Sequence, residues 1–379
     1  MENRNTQIPQ DNPSIISGWE ALIRQHLHEI KPYSTARDDF KGAAEIWLDA
    51  NELPYGRYLN RYPDPKASEL KETIAKIKKW ETSNFLLGNG SDECIELLIK
   101  LFCEPGLDEI MICPPTYGMY KVTAQINNVF VKEVFLNDEF QLRVDEILKN
   151  ISDKTKILFL CTPNNPSGNL IIRADILHLL HEFKGIVVID EAYIDFSGEK
   201  SWTSLVNNFP RLVVLQTLSK SAGLAGLRVG ICFAQIELIN KLYAIKPPYN
   251  LSLPAQIIAL FQLKQYKKQK DLWTKITAER DQLILSLIQF DSVEKIHPSD
   301  ANFLLVKVKD ASYSYAFLTD KGIVVRDRSD EPLCENCLRI SVGKPSENER
   351  LFKIWKRLDK SFKKKLQSER IELKKETFE

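Results

Sequence analysis

Residues 212–234 read LVVLQTLSKSAGLAGLRVGICFA, and this stretch indicates the fold. It holds two short apolar runs, LVVLQT and VGICFA, joined by a polar connection that contains glycine. Three similar runs precede it, with helical patterns between them; they are EIMIC ending at Cys113, KILFLC ending at Cys161 and IVVID ending at Asp190. Near-continuous apolar strands that alternate with helices are typical of a mostly parallel sheet covered on both faces. We therefore predict an α/β fold.

The domain organisation follows from changes in pattern along the chain. Residues 1–45 carry one helical pattern around residues 16–30 and are too few to fold alone. Residues 46–264 hold the apolar runs and form a predicted large domain. After them come the strand-like runs FLLVKV, IVVR and LRISV, separated by polar turns, and then a charged terminal helix. We predict a smaller α+β domain over residues 265–379, with which the N-terminal segment packs.

The composition argues against several classes of protein. Lys and Arg total 52 against 51 Asp and Glu, so the net charge of +1 offers no field that attracts nucleic acid or an anionic membrane. The start, MENRNTQIPQ, lacks the basic and apolar stretches of a signal peptide, and no uncharged run approaches the roughly 20 residues that span a bilayer. We expect a cytoplasmic protein that acts on small molecules, with no nucleic-acid or membrane partner.

Cysteine and histidine patterns give only weak signals for a metal. Seven cysteines are scattered along the chain, which does not fit a secreted disulfide framework, and only Cys334 and Cys337 form a CxxC. His178 and His181 lie one helical turn apart, although a partly solvated helix face accounts for them as well. Neither pair is accompanied by a second set of ligands, so we expect reduced thiols and no metal site.

Four polar segments follow predicted strands, where open α/β sheets bind their ligands. The first, GNGSDE, has Gly88 and Gly90 in a tight turn before a helix, whose free amides at Ser91 and Asp92 would bind a phosphate. In the second, IVVID, the carboxylate of Asp190 is costly to bury without a partner, and a protonated heterocyclic nitrogen would be such a partner.

The other two segments supply an amide, an amine and further anion-binding groups. TPNNPSGN has Asn165 in a turn, where its amide would reach a ring oxygen or a substrate. TLSKSAGLAGLRVG follows an apolar strand, so the amine of Lys220 should be partly desolvated, which lowers a lysine pKa and favours imine chemistry. Ser219 and Arg228 flank it and would complete an anion site. Each segment alone has an ordinary structural explanation, but together they describe a site for pyridoxal phosphate.

Ten motifs cover nearly the whole chain, namely KPYSTAR, LDANELPYG, NRYPDP, GNGSDE, PPTYGMY, TPNNPSGN, VIDEAYIDF, TLSKSAGLAGLRVG, KPPYNLS and CLRISVG. In this order they resemble the fold type I aminotransferases and, within them, the histidinol-phosphate aminotransferase family. The resemblance implies a homodimeric pyridoxal-phosphate enzyme that transfers the amino group of L-histidinol phosphate to 2-oxoglutarate. The chain departs from the family at Leu53, Ser221 and Ala222, where asparagine, a small residue and an aromatic are common.

The resemblance also implies a role for each matched residue. Lys220 would hold the cofactor as a Schiff base and carry the proton, and Asp190 would pair with the ring nitrogen. The ring would contact Tyr117, Asn165 and Tyr193. The cofactor phosphate would be bound by Ser91, Asp92, Ser219 and Arg228, together with Tyr62 of the partner subunit. The substrate would be bound by Tyr33, Asn165, Arg326 and Arg339.

Other functions stay open at this point. Relatives that act on aromatic amino acids or that decarboxylate threonine phosphate share most of these motifs, and product analysis would separate them. A transcription regulator with an aminotransferase-like domain needs a DNA-binding domain as well. About 45 residues precede the predicted core, and they lack a basic recognition helix.

Overall fold

The computed structural model describes residues 18–376, apart from residues 32, 34, 37–39, 41, 43 and 58. Two separate sheets organise this part of the chain. The strands of the larger sheet are β1 (Phe85–Asn89), β2 (Glu109–Ile112), β3 (Phe130–Glu133), β4 (Thr155–Cys161), β5 (Ile186–Asp190), β6 (Leu212–Thr217) and β7 (Val229–Phe233). Their spatial order is β1-β7-β6-β5-β4-β2-β3. Pairing is parallel from β3 through to β6, and β7 runs antiparallel to both of its neighbours, which confirms the mostly parallel sheet.

Helices cover this sheet and continue into the smaller domain. They are α1 (Ser68–Lys78), α2 (Ser91–Phe102), α3 (Met119–Ile126), α4 (Val144–Asn150), α5 (Arg173–Glu182), α6 (Ile236–Ile245), α7 (Leu253–Leu263), α8 (Tyr266–Leu287), α9 (Ala311–Asp320) and α10 (Pro345–Glu376). The break between α7 and α8 falls at the predicted boundary between the two domains, residues 264 and 265. We retain this boundary as a proposal.

The central strands are apolar along their whole length because both of their faces are buried. Leu158 and Leu160 of β4 lie in one apolar layer, whereas Ile157 and Phe159 of the same strand lie in the layer on the opposite face. Side chains of a strand alternate between faces, so a sheet covered by helices on both sides needs apolar residues at successive positions. This requirement explains why the apolar runs that form β4, β5 and β6 could be recognised in the sequence.

The smaller domain has an antiparallel sheet. Its strands are β8 (Val293–Ile296), β9 (Phe303–Val308), β10 (Arg326–Asp327) and β11 (Cys337–Ser341), in the order β10-β11-β9-β8. The predicted run IVVR contributes only the short edge strand β10, whereas FLLVKV forms β9 in full. Val306, Ile340 and Trp355 belong to the apolar core between this sheet and its helices.

The N-terminal segment packs differently from our expectation. Trp19, Ile23 and Leu27 are buried in the apolar layer of the large domain, together with Leu98 of α2 and Leu238 of α6. The backbone amide of residue 24 also donates to the carbonyl of residue 101 at 3.0 Å. Residues 18–31 therefore belong to the large domain, because their apolar side chains, spaced four apart, complete its helical layer. The helical pattern forms two 3-10 turns here, and residues 1–17 lie outside the described part.

The described residues also bear on the metal, disulfide and membrane questions that the sequence raised. Within the described ranges, no group of three or more His, Cys, Asp or Glu residues is arranged to hold a metal ion. All seven cysteines are buried and unpaired. No helix among the described residues combines the length and the apolar character needed to cross a membrane.

Candidate active site

A cavity open to solvent lies where β4, β5 and β6 end and α2 begins. The carboxyl ends of parallel strands share one edge of a sheet, so residues that follow distant strands meet there. The predicted residues that line it are Ser91, Asp92, Tyr117, Asn165, Asp190, Tyr193, Ser219, Lys220 and Arg228. The cavity also has Cys161, Ala192 and Thr217 in its wall.

One end of the cavity is built for an anion by the close approach of two backbone segments. Gly90 precedes α2 with a φ of +79°, and its amide donates to the carbonyl of Arg228 at 2.8 Å. A Cβ on Gly90 would lie 2.5 Å from Nη2 of Arg228, and one on Gly230 would lie 2.3 Å from the amide nitrogen of Ser91. The positive φ favours glycine at position 90, and the backbone leaves no room for a Cβ at position 230. The first amides of α2 have no partner within the helix, and Ser91 and Asp92 line the cavity.

Arg228 closes this end of the cavity from the opposite side. Its Nη2 donates to Oδ2 of Asp92 at 3.2 Å, and its Nη1 donates to Oγ of Ser219 at 3.5 Å. Tyr117 donates through Oη to Oδ1 of Asp92 at 3.0 Å. The Asp92 side chain therefore orients the arginine and the tyrosine, while backbone amides, a hydroxyl and a guanidinium remain as anion ligands. These groups fit a phosphate.

Asp190 lies at the other end of the cavity and is almost fully buried, with 2% of its surface exposed. Its Oδ2 accepts from Oη of Tyr120 at 2.7 Å, and its Oδ1 accepts from the amide of Ala192 at 3.0 Å. Burial raises the pKa of Asp190 to about 6, although both hydrogen bonds act in the opposite direction. Among the described residues no lysine or arginine forms an ion pair with it. A buried carboxylate without a cation fits the protonated nitrogen of a bound ring.

Lys220 follows β6 and places its amine between these two ends. Its Nζ lies 5.6 Å from the ring centroid of Tyr193. Burial, followed by the positive charges of Arg339 and Arg228, lowers the pKa of Lys220, while Asp190 opposes the change. The side chain still reaches solvent through the cavity. A lowered pKa increases the neutral fraction of the amine, which is the form that attacks an aldehyde.

The smaller domain contacts the wall of this cavity through β11. Arg339 donates through Nη1 to Oδ1 of Asn165, and its guanidinium lies 5.6 Å from the ring centroid of Phe303. The ring of Tyr193 contacts Phe303 edge-on, with 5.1 Å between the centroids. Arg326 of β10 is the direct cross-strand neighbour of Arg339. Two like charges opposite each other on a sheet are unfavourable unless an anion lies between them.

Comparison with known proteins agrees with this geometry. The family model for aminotransferase class I and II matches residues 38–354. The chain belongs to this family. A histidinol-phosphate aminotransferase of Flavobacterium psychrophilum is 48% identical over 339 residues, which cover 89% of this chain and 98% of the relative. The aminotransferase family and fold predicted from the ten motifs are confirmed.

Solved structures agree with the fold of this aminotransferase. The histidinol-phosphate aminotransferase of Clostridium acetobutylicum superposes with a TM-score of 0.74 at 26% identity, covering 80% of this chain and 92% of that chain. The histidinol-phosphate aminotransferase of Sinorhizobium meliloti, in complex with pyridoxal-5'-phosphate, superposes with a TM-score of 0.72 at 22% identity. This second pair covers 80% of this chain and 84% of that chain.

Four residues predicted for the site of this aminotransferase are absent from the lining of the cavity, namely Tyr33, Tyr62, Arg326 and Arg339. Tyr62 is half exposed and stacks on Tyr249, with 4.6 Å between the ring centroids. Tyr33 is 72% exposed and lines a different groove, beside Lys241 and Tyr243. The role predicted for Tyr62 concerns the cavity of a partner subunit, so its position in one chain leaves that prediction open. The role of Tyr33 also stays a prediction.

Sequence reasoning missed Tyr120 and Glu191, two buried residues that support the site. Tyr120 ends the motif PPTYGMY, three residues after Tyr117, but nothing in the sequence indicated which of the two would reach Asp190. Glu191 accepts from the amide of Trp202 at 2.6 Å and from Nε2 of Gln216 at 2.8 Å. It thereby ties the segment after β5 to β6. Its position directly after Asp190 was the one available signal.

Proposed function

We propose that this aminotransferase uses pyridoxal phosphate to transfer the amino group of L-histidinol phosphate to 2-oxoglutarate. The products are imidazole-acetol phosphate and L-glutamate, a step of histidine biosynthesis. One observation carries the proposal: a buried carboxylate with no ion pair among the described residues, a partly desolvated amine and a helix N-terminus suited to a phosphate line the same cavity. The relative at 48% identity bears the name of this activity.

The cofactor, when bound, supplies an electron-accepting ring that makes the Cα proton of an attached amine acidic. The chain's own groups match the three parts of that molecule. Ser91 and Asp92, through their backbone amides, would bind the phosphate together with Ser219 and Arg228, and Asp190 would keep a proton on the ring nitrogen. Tyr117 would lie against the ring. Because the pKa of Asp190 is about 6 without an ion-pair partner, pairing with a cation would keep it ionised at neutral pH.

Lys220 would hold the cofactor and afterwards move a proton. Its amine lies at the end of β6, and its lowered pKa favours the neutral form, which would accept a proton when the amine is not bonded to the cofactor. Tyr193, whose ring centroid lies 5.6 Å from Nζ of Lys220, would donate its hydroxyl to the ring oxygen. Asn165 would do the same through its amide nitrogen, because its oxygen already accepts from Arg339.

The two arginines of the smaller domain would bind the anionic groups of both substrates. We assign Arg339 to the group attached to Cα, either the carboxylate of glutamate or the phosphate arm. We assign Arg326 to extra binding of the phosphate, with Tyr33 adding a hydroxyl. The cross-strand pairing of Arg326 with Arg339 supports a shared anion, since a dianion would relieve the repulsion between the two guanidinium groups.

The active form proposed is a homodimer in which the partner's Tyr62 reaches the phosphate. Large apolar side chains that precede Tyr62 are two-thirds or more exposed in a single chain; they are Ile46, Leu48, Leu53, Tyr55 and Leu59. An apolar patch of this kind is typical of a protein interface. Co-expressing Tyr62→Ala with Lys220→Ala tests the arrangement. Mixed dimers should regain activity that neither variant has alone. If they showed no such gain, Tyr62 would not belong to a shared site.

The substrate is tested by product analysis of the purified protein. Histidinol phosphate should be converted to the keto phosphate with formation of glutamate, at a specificity constant well above those for phenylalanine and tyrosine. Threonine phosphate distinguishes an aminotransferase from a threonine-phosphate decarboxylase, because only the decarboxylase would release carbon dioxide from it. A preference for the aromatic amino acids, or release of carbon dioxide, would contradict the proposal.

The cytoplasm is the compartment we propose for this enzyme. All seven cysteines are buried and unpaired, including Cys334 and Cys337. Thiols remain reduced in the cytoplasm, whereas secreted proteins commonly pair them.

A further inference from the structure

The residue after Lys220 is held by two side chains from different parts of the fold. Oγ of Ser221 donates to Oδ2 of Asp195, and the carbonyl of Ser221 accepts from Nε1 of Trp273 at 2.8 Å. Asp195 lies in the 3-10 turn Ile194–Phe196, directly after Tyr193. One hydrogen bond therefore joins the segment that follows β5 to the loop that carries the amine.

Each side of this hydrogen bond carries groups of the active site. The segment before Asp195 contains Asp190 and Tyr193, and both line the cavity. On the other side, Lys220 is the first residue of a turn in which its carbonyl accepts from the amide of Gly223 at 3.0 Å. The backbone of this turn sets where the lysine side chain begins. A shift of the turn would move the amine away from the carboxylate and the tyrosine.

A second interaction of Asp195 is weaker and can be separated from the first. Its Oδ1 lies 3.5 Å from Nζ of Lys78 in α1, and the two side chains are 21% and 19% exposed. An ion pair that water reaches contributes little to stability. Lys78 does not line the cavity around Lys220. Its removal therefore serves as a control for loss of the ion pair alone.

We propose that Asp195 is a positioning residue for Lys220, acting through its hydrogen bond to Ser221. This inference rests on the function proposed above, since it assigns a task to Lys220. The interaction requires an acceptor at position 195 and a hydroxyl at position 221, and it does not require a negative charge.

The test measures how fast the cofactor-free protein forms its visible absorption band after pyridoxal phosphate is added. Asp195→Ala and Ser221→Ala remove the hydrogen bond, and each should slow band formation by about ten- to a hundredfold, the loss typical of a misplaced reactive group. The double variant should be no slower than either single variant, because all three lack the same interaction. Asp195→Asn keeps an acceptor and should stay close to wild type.

Lys78→Gln is the matched control, because it removes the ion pair and leaves Asp195 and Ser221 in contact. It should leave the melting temperature close to that of the wild type, because water reaches the ion pair, and the rate of band formation should stay unchanged. In steady state, Asp195→Ala and Ser221→Ala should lower kcat with little change in KM. A general loss of structure would not give this separation.

Several outcomes would overturn the inference. Lys78→Gln slowing band formation as much as Asp195→Ala would assign the effect to the ion pair. Ser221→Ala is the milder substitution. If it formed the visible band at the wild-type rate, the hydrogen bond between Asp195 and Ser221 would have no part in positioning Lys220. The proposed function fails separately, because then the wild-type protein would form no band with pyridoxal phosphate at all.

Discussion

Replacing Tyr120 with phenylalanine should move the titration of Asp190 into the neutral range. The hydroxyl of Tyr120 donates to Oδ2 of Asp190 at 2.7 Å, and this hydrogen bond is the largest influence that keeps the carboxyl acidic in its buried site. A hydrogen bond to a charged group contributes about 1.5–3 kcal/mol, which corresponds to roughly one to two pKa units. From a value of about 6, the pKa of Asp190 should rise to between roughly 7 and 8.

The sign of the effect follows from the ionised form of the carboxyl. At pH 7 the ionised fraction of Asp190 should fall from about nine-tenths to between a half and a tenth. Only the ionised form can hold a proton on the ring nitrogen, so the affinity for pyridoxal phosphate at pH 7 should fall by the same proportion. The fold should tolerate the change, because the ring of Tyr120 stacks on Phe159, with 4.7 Å between the centroids, and phenylalanine keeps that contact.

The assay is the affinity of the cofactor-free protein for pyridoxal phosphate, measured between about pH 5 and pH 9. Tyr117→Phe is the matched control, because it removes a hydroxyl that binds Asp92 and leaves Asp190 untouched. The cofactor has ionisable groups of its own, and these titrate in the wild type and in both variants. The measured quantity is therefore the difference between the pH midpoints of the wild type and each variant. A midpoint that Tyr120→Phe shares with the wild type would refute the reasoning, as would an equal shift in Tyr117→Phe.

Three further predictions concern the amine, the arginines and a buried histidine. Lys220→Ala should lose both turnover and the visible band, and near-normal multiple turnover would contradict its role. Arg326→Ala should slow chiefly the histidinol-phosphate half-reaction, by about ten- to a hundredfold, whereas Arg339→Ala should slow both half-reactions in single-turnover spectroscopy. Equal slowing of both by Arg326→Ala would contradict this division. Burial lowers the pKa of His297 to about 4, so the stability it contributes is present above about pH 6.5 and is lost as the pH falls through 4. Between these values the urea midpoint of the wild type should therefore fall more steeply than that of His297→Leu, and parallel curves would contradict the shift.

Much of the fold and of the large-domain part of the site could be predicted because it depends on local patterns. The run IVVID forms β5 over its whole length, and its final residue, Asp190, lies at the sheet edge where ligands bind. Gly90 and Lys220 likewise follow strands in the sequence. A parallel sheet brings the ends of its strands together, so residues far apart in the chain could be assigned to one cavity without knowledge of their contacts.

Contacts between distant elements could not be predicted in this way. The sequence contained both Tyr120 and Asp190, but their hydrogen bond joins residues 70 positions apart. The contact of Arg339 with Asn165 crosses between domains and spans 174 positions. The short strand β10 also differed from the prediction, because an edge strand has a partner on one side only and its length depends on that pairing.

The sequence by itself determined the α/β class, the aminotransferase family and the residues that gather at the ends of β4, β5 and β6. These follow from strand periodicity, glycine positions and motif order, which are local properties. Only the tertiary structure decided that Tyr120 binds Asp190, that Asp195 binds Ser221, and that residues 18–31 join the large domain. Each of these depends on which surfaces meet after the chain has folded. A periodic sequence pattern does not specify such tertiary contacts, because the same side chains could pack against any surface of suitable shape and polarity.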